Sequence, residues 1–203
     1  MKTWEEYKDF LMKGNWHIHT SYTDGKNTVF DYCREAIKRN VPLLAFTEHV
    51  RKEVRYNFDK LLEDIDKARE EFPDLIILSG CEAKVLPDGT LDVNKKLIKK
   101  VDYPIMAYHS FPKDKELYLK TLKKTIKNPF VNSWAHPGLF LNKTGFELKD
   151  EELGEIFELM KKHRVLLEIN KKYELPPEQW IKQAKRKGVL LVRGNDTHSV
   201  NEL

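Results

Sequence analysis

Short apolar runs alternate with longer stretches of helical periodicity along the chain, and this alternation restricts the possible folds more than any other feature. Between seven such runs, apolar residues recur every three or four positions, as they do on one face of a helix. Alternating strands and helices predict parallel strands that are joined by right-handed crossovers. The predicted strand runs are residues 15–20, 43–49, 75–83, 103–110, 130–137, 165–170 and 189–198.

Five amphipathic helices are predicted between the strand runs, and a short one is predicted before them. The short helix follows from "TWEE" at residues 3–6, which has the form of a capping box. Because the strand runs are apolar on both faces, helices should cover the sheet. An open, doubly wound sheet and a closed barrel both satisfy this pattern. The first apolar residues of the five helices are Val29, Phe58, Leu117, Leu153 and Trp180, and Gly188 is the expected C-terminal cap of the last.

Composition limits the class of protein. A length of 203 residues with 40% hydrophobic residues suits a single domain over residues 1–203 with a sizeable core. The charge of +4 is too diffuse to indicate nucleic acid by itself. Cys33 and Cys81 form no Cys-x-x-Cys pair, and no apolar run reaches membrane-spanning length. We therefore expect a soluble, cytoplasmic protein with no membrane partner.

Six of the seven histidines lie at the C-terminal ends of predicted strands, where chance placement would rarely put them. Three acidic residues lie at corresponding positions: one follows the first run, and the other two lie at the ends of the third and seventh runs. The active sites of parallel barrels occur at this end of the strands. The six histidines are His17, His19, His49, His109, His136 and His198, and the acids are Asp24, Glu82 and Asp196.

Strand geometry predicts that these side chains share a face. Alternate residues of a strand point the same way, so His17 and His19 should point together, and Glu82 should point inward while Cys81 packs against helices. In a barrel, nine nitrogen and oxygen donors would then meet at one rim. Zinc takes four or five ligands, so nine donors suffice for two or three ions that share a carboxylate.

The order of motifs resembles the polymerase and histidinol phosphatase (PHP) superfamily of metal-dependent phosphoesterases. The resemblance runs from His17 to His198 through "HIHTSYTDG", "FTEH", "GCE", "YHS", "AHPG" and "NDTHS". It implies an α/β fold, a distorted seven-stranded parallel (β/α)7 barrel of TIM-like form, in preference to the open sheet. It also implies a trinuclear metal centre.

The resemblance implies a ligand set for each of the three ions. The first ion would bind His17, His19, Glu82 and Asp196. The second would share Glu82 as a bridge and bind His109 and His136. The third would bind Asp24, His49 and His198. Catalytic roles are expected for Glu82, Asp196 and His198.

The ligand types and the charge predict the chemistry. Mixed imidazole and carboxylate ligation suits Zn, Mn or Fe better than Mg or Ca. Three divalent ions with a bridging hydroxide would leave a residual charge of about +2, which suits a phosphomonoester dianion. We expect that hydroxide to attack phosphorus in line, with Arg51 as the preferred phosphate clamp and Asn170 and Lys171 as further substrate contacts.

Other functions remain open at this stage. A 3′ exonuclease or nucleotide phosphodiesterase would use the same ions, although the modest charge favours a small phosphorylated substrate over nucleic acid. An amidohydrolase-type hydrolase would normally have a bridging lysine where Glu82 stands here. A catalytically inert module could use the ions for folding or for binding a partner. After "LEIN" the chain reads "KKYELPP" and lacks the Gly and Arg of some histidinol phosphatases, which disfavours histidinol phosphate as the substrate.

Overall fold

The strands form one parallel sheet that closes almost completely into a barrel. The structure, a computed structural model, describes residues 2–203. The strands pair in the order β1-β2-β4-β5-β6-β7-β8, and β3 pairs with β4. Since β3 continues the line of β2, the barrel has seven strands, as predicted. The strands are β1 (Asn15–Ile18), β2 (Leu43–Phe46), β3 (His49–Val50), β4 (Ile76–Lys84), β5 (Tyr103–Ala107), β6 (Ser133–Trp134), β7 (Leu166–Ile169) and β8 (Leu191–Arg193).

The two ends of the sheet meet where β1 approaches the segment after β8. The His19 N–H donates to the Thr197 carbonyl oxygen at 2.8 Å, and the Thr197 N–H donates to the His17 carbonyl oxygen at 3.0 Å. Backbone hydrogen bonds between the first and last strands are the mark of a barrel and are not found in an open sheet. The barrel predicted from the family resemblance is therefore confirmed.

Helices connect the strands and cover the outside of the barrel. The side chains of Thr28, Asn57 and Asp114 each accept a hydrogen bond from a backbone N–H in the first turn of the helix that follows, which explains where α1, α2 and α4 begin. At the end of α7, Gly188 is left-handed with φ of 79°, as its predicted capping role requires. The helices are α1 (Val29–Lys38), α2 (Phe58–Glu71), α3 (Lys95–Ile98), α4 (Lys115–Ile126), α5 (Leu139–Thr144), α6 (Asp150–His163) and α7 (Glu178–Lys187).

The chain differs from the sequence prediction in its short helices. The residues before β1 form two 3-10 helices, Thr3–Glu5 and Lys8–Phe10, and the first begins one residue earlier than "TWEE" suggests because the Lys2 N–H bonds the Glu5 carboxylate. The helices α3 and α5 were not predicted, because each is too short to show an apolar period. Across residues 2–203, every helix lacks the length and apolar character needed to span a bilayer.

Two apolar clusters follow from the alternation of residues along the strands. Leu43 and Ala45 belong to an inner cluster, whereas Leu44 and Phe46 pack with helix residues in an outer one. Cys81 is fully buried in the outer cluster, so Glu82 beside it is directed to the barrel interior. Full burial of each large aliphatic or aromatic side chain contributes about 1.5–3 kcal/mol, and these layers hold the strand ends in register.

A break between β2 and β3 shapes the rim of the barrel. Thr47 and Glu48 leave the ladder there: the Thr47 N–H donates to the Ile18 carbonyl oxygen at 2.8 Å, and the Glu48 carbonyl oxygen accepts from the Glu82 N–H at 2.9 Å. Pairing then resumes with His49 opposite Glu82. The register against β4 is the same before and after the break, so His49 lies beside Glu82 at the C-terminal end of the barrel.

Candidate metal centre

The nine residues predicted to bind metal come together at the C-terminal ends of the strands. Each of them has a nitrogen or carboxylate oxygen within 4.0 Å of another member of the set. His17, His19 and Glu82 are fully buried, whereas Asp24 is 54% exposed. The cluster therefore extends from the barrel interior to its mouth. We call it the donor cluster: His17, His19, Asp24, His49, Glu82, His109, His136, Asp196 and His198.

The innermost part of the donor cluster is formed by β1 and the segment after β8. The Nε2 atoms of His17 and His19 are 3.0 Å apart. Asp196 Oδ1 lies 3.4 Å from His17 Nε2 and 3.2 Å from His19 Nε2. Glu82 Oε1 lies 3.7 Å from His17 Nε2, and Glu82 Oε2 lies 3.7 Å from His19 Nε2. Four donors thus surround one small volume.

Glu82 also faces the histidines that follow β5 and β6. Its Oε1 atom is 3.2 Å from His109 Nε2 and 2.8 Å from His136 Nε2. Its Oε2 atom is 2.8 Å from His49 Nδ1. One buried carboxylate therefore contacts imidazoles from several strands, which is the arrangement expected of a bridging ligand.

The outer part of the donor cluster is formed around Asp24 in the loop after β1. Asp24 Oδ2 lies 3.3 Å from His49 Nε2 and 3.4 Å from His198 Nε2. The rings of His49 and His198 pack on His19, with centroids 4.3 and 4.6 Å away. This part opens to solvent and would be the first to meet a substrate.

The donor cluster fits metal ions better than it fits hydrogen bonding alone. Two imidazole nitrogens 3.0 Å apart can share only one proton, and packing unsatisfied polar atoms in a protein interior is costly. Within residues 2–203, the buried atoms without a hydrogen-bond partner include His19 Nδ1 and His109 Nδ1. Imidazole nitrogens with carboxylate oxygens are the donors that Zn, Mn and Fe prefer. We conclude that these residues fit divalent transition metals.

The electrostatics keep the two deepest acids ionised. Burial by itself would raise the pKa of Glu82, but the facing imidazoles of His109, His136 and His17 outweigh it and hold that pKa well below its usual value. Asp196 behaves in the same way, because His17 and His19 lower its pKa more than burial raises it. Both side chains are therefore carboxylates at neutral pH, the form that binds a cation.

His17 and His19 differ in protonation although they are neighbours. Burial lowers the pKa of His17, but the Glu168 and Asp196 carboxylates outweigh it and raise that pKa to about 10. Burial dominates at His19 and lowers its pKa to about 4. Without metal, His17 thus carries the proton that a bound cation would replace.

Glu168 on β7 supports the donor cluster from behind, and sequence analysis missed it. Its Oε2 atom is 2.8 Å from His17 Nδ1. Its Oε1 atom accepts from the His136 backbone N–H at 2.9 Å and from the Asn170 amide at 2.8 Å. A carboxylate on the outer nitrogen of a ligating histidine fixes the ring and its tautomer. The signal in the sequence is a single acid inside the apolar run "LLEI", which has no partner nearby in the chain.

Replacing Glu168 with glutamine is expected to weaken metal binding. In the wild type, Glu168 holds a proton on His17 Nδ1, and this leaves the lone pair of His17 Nε2 free for a metal ion. The glutamine amide can still accept from the His136 N–H, but it no longer holds that proton on Nδ1. Loss of such a partner typically costs 10- to 100-fold in metal affinity or activity, and titration of metal-free protein with zinc would measure it.

The control for this variant is Glu155→Gln, which removes an exposed acid on α6 that is paired with Lys123. It should leave zinc affinity unchanged. Equal zinc affinity in the Glu168→Gln variant and the wild type would contradict the supporting role.

The predicted substrate contacts lie in three different settings. Arg51 is half-exposed, and its guanidinium donates to the Val50 carbonyl oxygen at 2.6 Å and lies 3.7 Å from Asp92. Lys171 is exposed in the turn after β7. Asn170 is 1% exposed and its amide bonds Glu168, so we correct its predicted role from substrate contact to support of Glu168.

A cavity of about 740 Å³ adjoins the outer part of the donor cluster. Its lining includes Asp24 and His49 of the donor cluster, the cationic side chains of Arg51, Lys52 and Arg55, and the acids Glu53 and Asp92. A site that joins metal ligands to guanidinium and ammonium groups is suited to an anionic ligand.

Two members of the donor cluster have left-handed backbone conformations. The φ angle is 31° at His136 and 50° at Asp196. Non-glycine residues rarely adopt this region, and such strain persists only where the surrounding structure enforces it. The chain therefore bends sharply at both positions, where His136 contacts Glu82 and Asp196 contacts His17 and His19.

Comparison with known proteins identifies a family over most of the chain. The family model described as "PHP domain" matches residues 15–172. The chain is 29% identical over 204 residues to "DNA polymerase/3'-5' exonuclease PolX" of Bacillus subtilis, and the match covers 95% of this chain but 35% of that protein. It is 24% identical to a "Probable phosphatase" of Acetivibrio thermocellus, covering 90% of this chain and 78% of that one.

Solved structures share the fold at low sequence identity. Histidinol phosphate phosphatase from Lactococcus lactis, solved with Zn, L-histidinol and phosphate, has a TM-score of 0.70 at 19% identity and covers 93% of this chain and 87% of its own. A putative histidinol phosphatase from Listeria monocytogenes has a TM-score of 0.73 at 16% identity, with coverage of 94% and 97%. These similarities concern the barrel.

Proposed function

Because the chain belongs to the PHP domain family, we propose that it is a metal-dependent phosphoesterase whose substrate is a small phosphomonoester. The observation that supports this most strongly is the convergence of the donor cluster around the buried, ionised Glu82. The proposal includes one PHP-type domain over residues 1–203, which the single barrel supports.

We assign the ligands in the three groups that the family resemblance implies. His17, His19, Glu82 and Asp196 hold the first ion. Glu82, His109 and His136 hold the second. Asp24, His49 and His198 hold the third, with His19 Nδ1 4.0 Å from Asp24 as a neighbouring donor. Bound divalent ions supply Lewis acidity, neutralise charge on phosphoryl oxygens and lower the pKa of water.

The side chains of the protein do three things in this proposal. Glu82 and Asp196 provide the negative charge that holds the cations, and both stay ionised at neutral pH because imidazoles surround them. Glu168 orients His17 and the backbone of His136. The cationic side chains beside the mouth of the barrel, Arg51 among them, attract the substrate and fix its phosphate.

The half-exposed position of Arg51 allows a direct test of substrate binding. Arg51→Ala is expected to raise KM for phosphomonoesters about three- to tenfold, because a charge-assisted hydrogen bond to phosphate is lost at a site that water can reach. Steady-state kinetics with metal-saturated protein would measure it. Arg186→Ala, an exposed arginine on α7, is the control, and an unchanged KM in both variants would remove Arg51 from the site.

A second candidate function is 3′ exonuclease activity on nucleic acid. It is favoured by the similarity to a PolX protein over 95% of this chain. The cavity beside the metal centre shares Lys52 with a groove of about 930 Å³ that four further lysines line. A cationic path that leaves the site in this way could follow a phosphodiester backbone.

One experiment separates the two functions. Metal-analysed protein would be assayed for phosphate release from a panel of phosphomonoesters and for nucleotide release from short single strands with free 3′ hydroxyls. We expect phosphate release to exceed nucleotide release by at least about tenfold in kcat/KM. The reverse ratio would favour the exonuclease, and no turnover of either class with full metal loading would refute the proposed function.

A further inference from the structure

A lysine that sequence analysis did not select lies in the metal centre. Lys172 follows β7, and its Nζ atom is 3.0 Å from the Asp196 carbonyl oxygen, 3.1 Å from His198 Nδ1 and 3.6 Å from Asp196 Oδ2. In residues 2–203, no other lysine or arginine nitrogen forms an ion pair with an acid of the donor cluster. The Lys172 side chain is 35% exposed, whereas Asp196 is buried, so the ammonium group lies on the open side of the cluster.

We propose that Lys172 is a phosphate-binding residue of this site and that its ammonium group moves from His198 to a non-bridging oxygen of the substrate. The proposal deepens the proposed function and rests on it for the nature of the substrate. The ligand class is a phosphomonoester dianion or inorganic phosphate.

The first step is the tautomer of His198. Its Nδ1 atom lies 2.8 Å from the Asp196 carbonyl oxygen, and its Nε2 atom faces Asp24. A histidine that ligates through Nε2 carries its proton on Nδ1 and donates it to such an oxygen. Lys172 has no lone pair, so in that tautomer two donors face each other at 3.1 Å.

The second step is the effect of the cations on the ammonium group. Divalent ions held by the donor cluster would neutralise its carboxylates and would repel a neighbouring ammonium group. A phosphate anion bound at the donor cluster would restore a negative partner for that ammonium group. Lys172 can reach such an anion because it adjoins Asp196 of the first ligand group and His198 of the third.

The consequence is that phosphate and Lys172 bind each other at the mouth of the site. Arg51 lies on the side of Asp24 and His49, and Lys172 lies beside Asp196 and His198. Cationic side chains therefore adjoin two parts of the donor cluster. The ammonium group contributes a charge-assisted hydrogen bond that exists only when the anion is present.

The test is the binding of inorganic phosphate to zinc-loaded protein, measured by calorimetry together with metal content. Lys172→Met keeps the length of the side chain and removes its charge; we expect zinc content to be unchanged and Kd for phosphate to rise about tenfold or more. Lys172→Arg should stay within about threefold of the wild type. Lys182→Met, an exposed lysine paired with Glu178 on α7, should leave Kd unchanged.

A second readout follows the proton on His198. Nitrogen NMR of the zinc-loaded protein should show Nδ1 protonated in the wild type and in Lys172→Met alike. Unchanged phosphate affinity in Lys172→Met, loss of zinc from it, or an unprotonated Nδ1 in the loaded wild type would each overturn the proposal. If the wild type hydrolyses no phosphoester but Lys172→Met still weakens phosphate binding, the proposed function fails and the assignment of Lys172 stands.

Discussion

Replacing Glu82 with glutamine is expected to remove metal and abolish hydrolysis together. The substitution keeps the size of the side chain but deletes a buried negative charge that faces His109, His136, His17 and His49. The amide also brings two N–H donors toward imidazole nitrogens that should bind cations. We expect less than one equivalent of zinc or manganese per chain and a fall in kcat/KM of at least about a thousandfold, or about 4 kcal/mol.

The measurement for Glu82→Gln is elemental analysis of the purified variant together with its kcat/KM. Glu70→Gln, which changes an exposed acid on α2, is the control for the substitution. Far-UV circular dichroism would show that the barrel is retained. A variant with full metal content, or full activity with less metal, would contradict the bridging assignment of Glu82.

Removal of the ions by chelation is expected to abolish hydrolysis and to lower Tm by on the order of 10 °C. Ions at a free concentration a thousand times their Kd stabilise the native state by about 4 kcal/mol. Each kcal/mol of stability shifts Tm by about 2–4 °C for a domain of this size. Added zinc or manganese should restore both properties. Calorimetry and activity of the same samples, before and after re-addition, would measure them.

The affinity for metal should also rise with pH. The Glu168 and Asp196 carboxylates raise the pKa of His17 to about 10, so below that pH a proton occupies the imidazole and would compete with a cation. Fewer protons compete as pH rises from 6 to 9, and metal binding at neutral pH should release a proton.

In the chelation experiment, a verified metal-free sample that keeps its Tm and its activity would refute the role of the donor cluster.

The candidate site was largely predictable because its residues obey strand parity. His17 and His19 alternate with Ile18, and Glu82 alternates with Cys81, so the sequence reveals which side chains face the interior once the strands are recognised. The rim position of parallel-barrel sites then predicts that residues far apart in the chain meet. The structure places them together as expected, with Glu82 in the middle.

The parts that sequence reasoning missed depend on contacts between distant segments. Glu168 looks like one acid in an apolar strand, and only its approach to His17 reveals its role. The sequence predicts Asn170 to be a substrate contact because nothing local shows that its amide turns toward Glu168. Lys172 is one of 36 lysines and arginines, and only the fold brings it to His198.

The barrel closure illustrates the same limit. Alternating strands and helices suit an open sheet as well as a barrel, and the distinction rests on hydrogen bonds between His19 and Thr197, which are far apart in the sequence. The break between β2 and β3 is likewise invisible in "LLAFTEH", because it is defined only by which residues pair with β4 on either side of it. Tertiary pairing decides both features.

The left-handed backbones of His136 and Asp196 lower the stability of the protein at positions where its proposed function needs a ligating side chain. Each non-glycine residue held in such a conformation costs on the order of 1 kcal/mol, and glycine would adopt it freely but could ligate nothing. A search for thermostable variants would therefore favour glycine at these two positions and would select proteins that have lost these two ligands. Any such engineering of this chain should exclude both residues from the start.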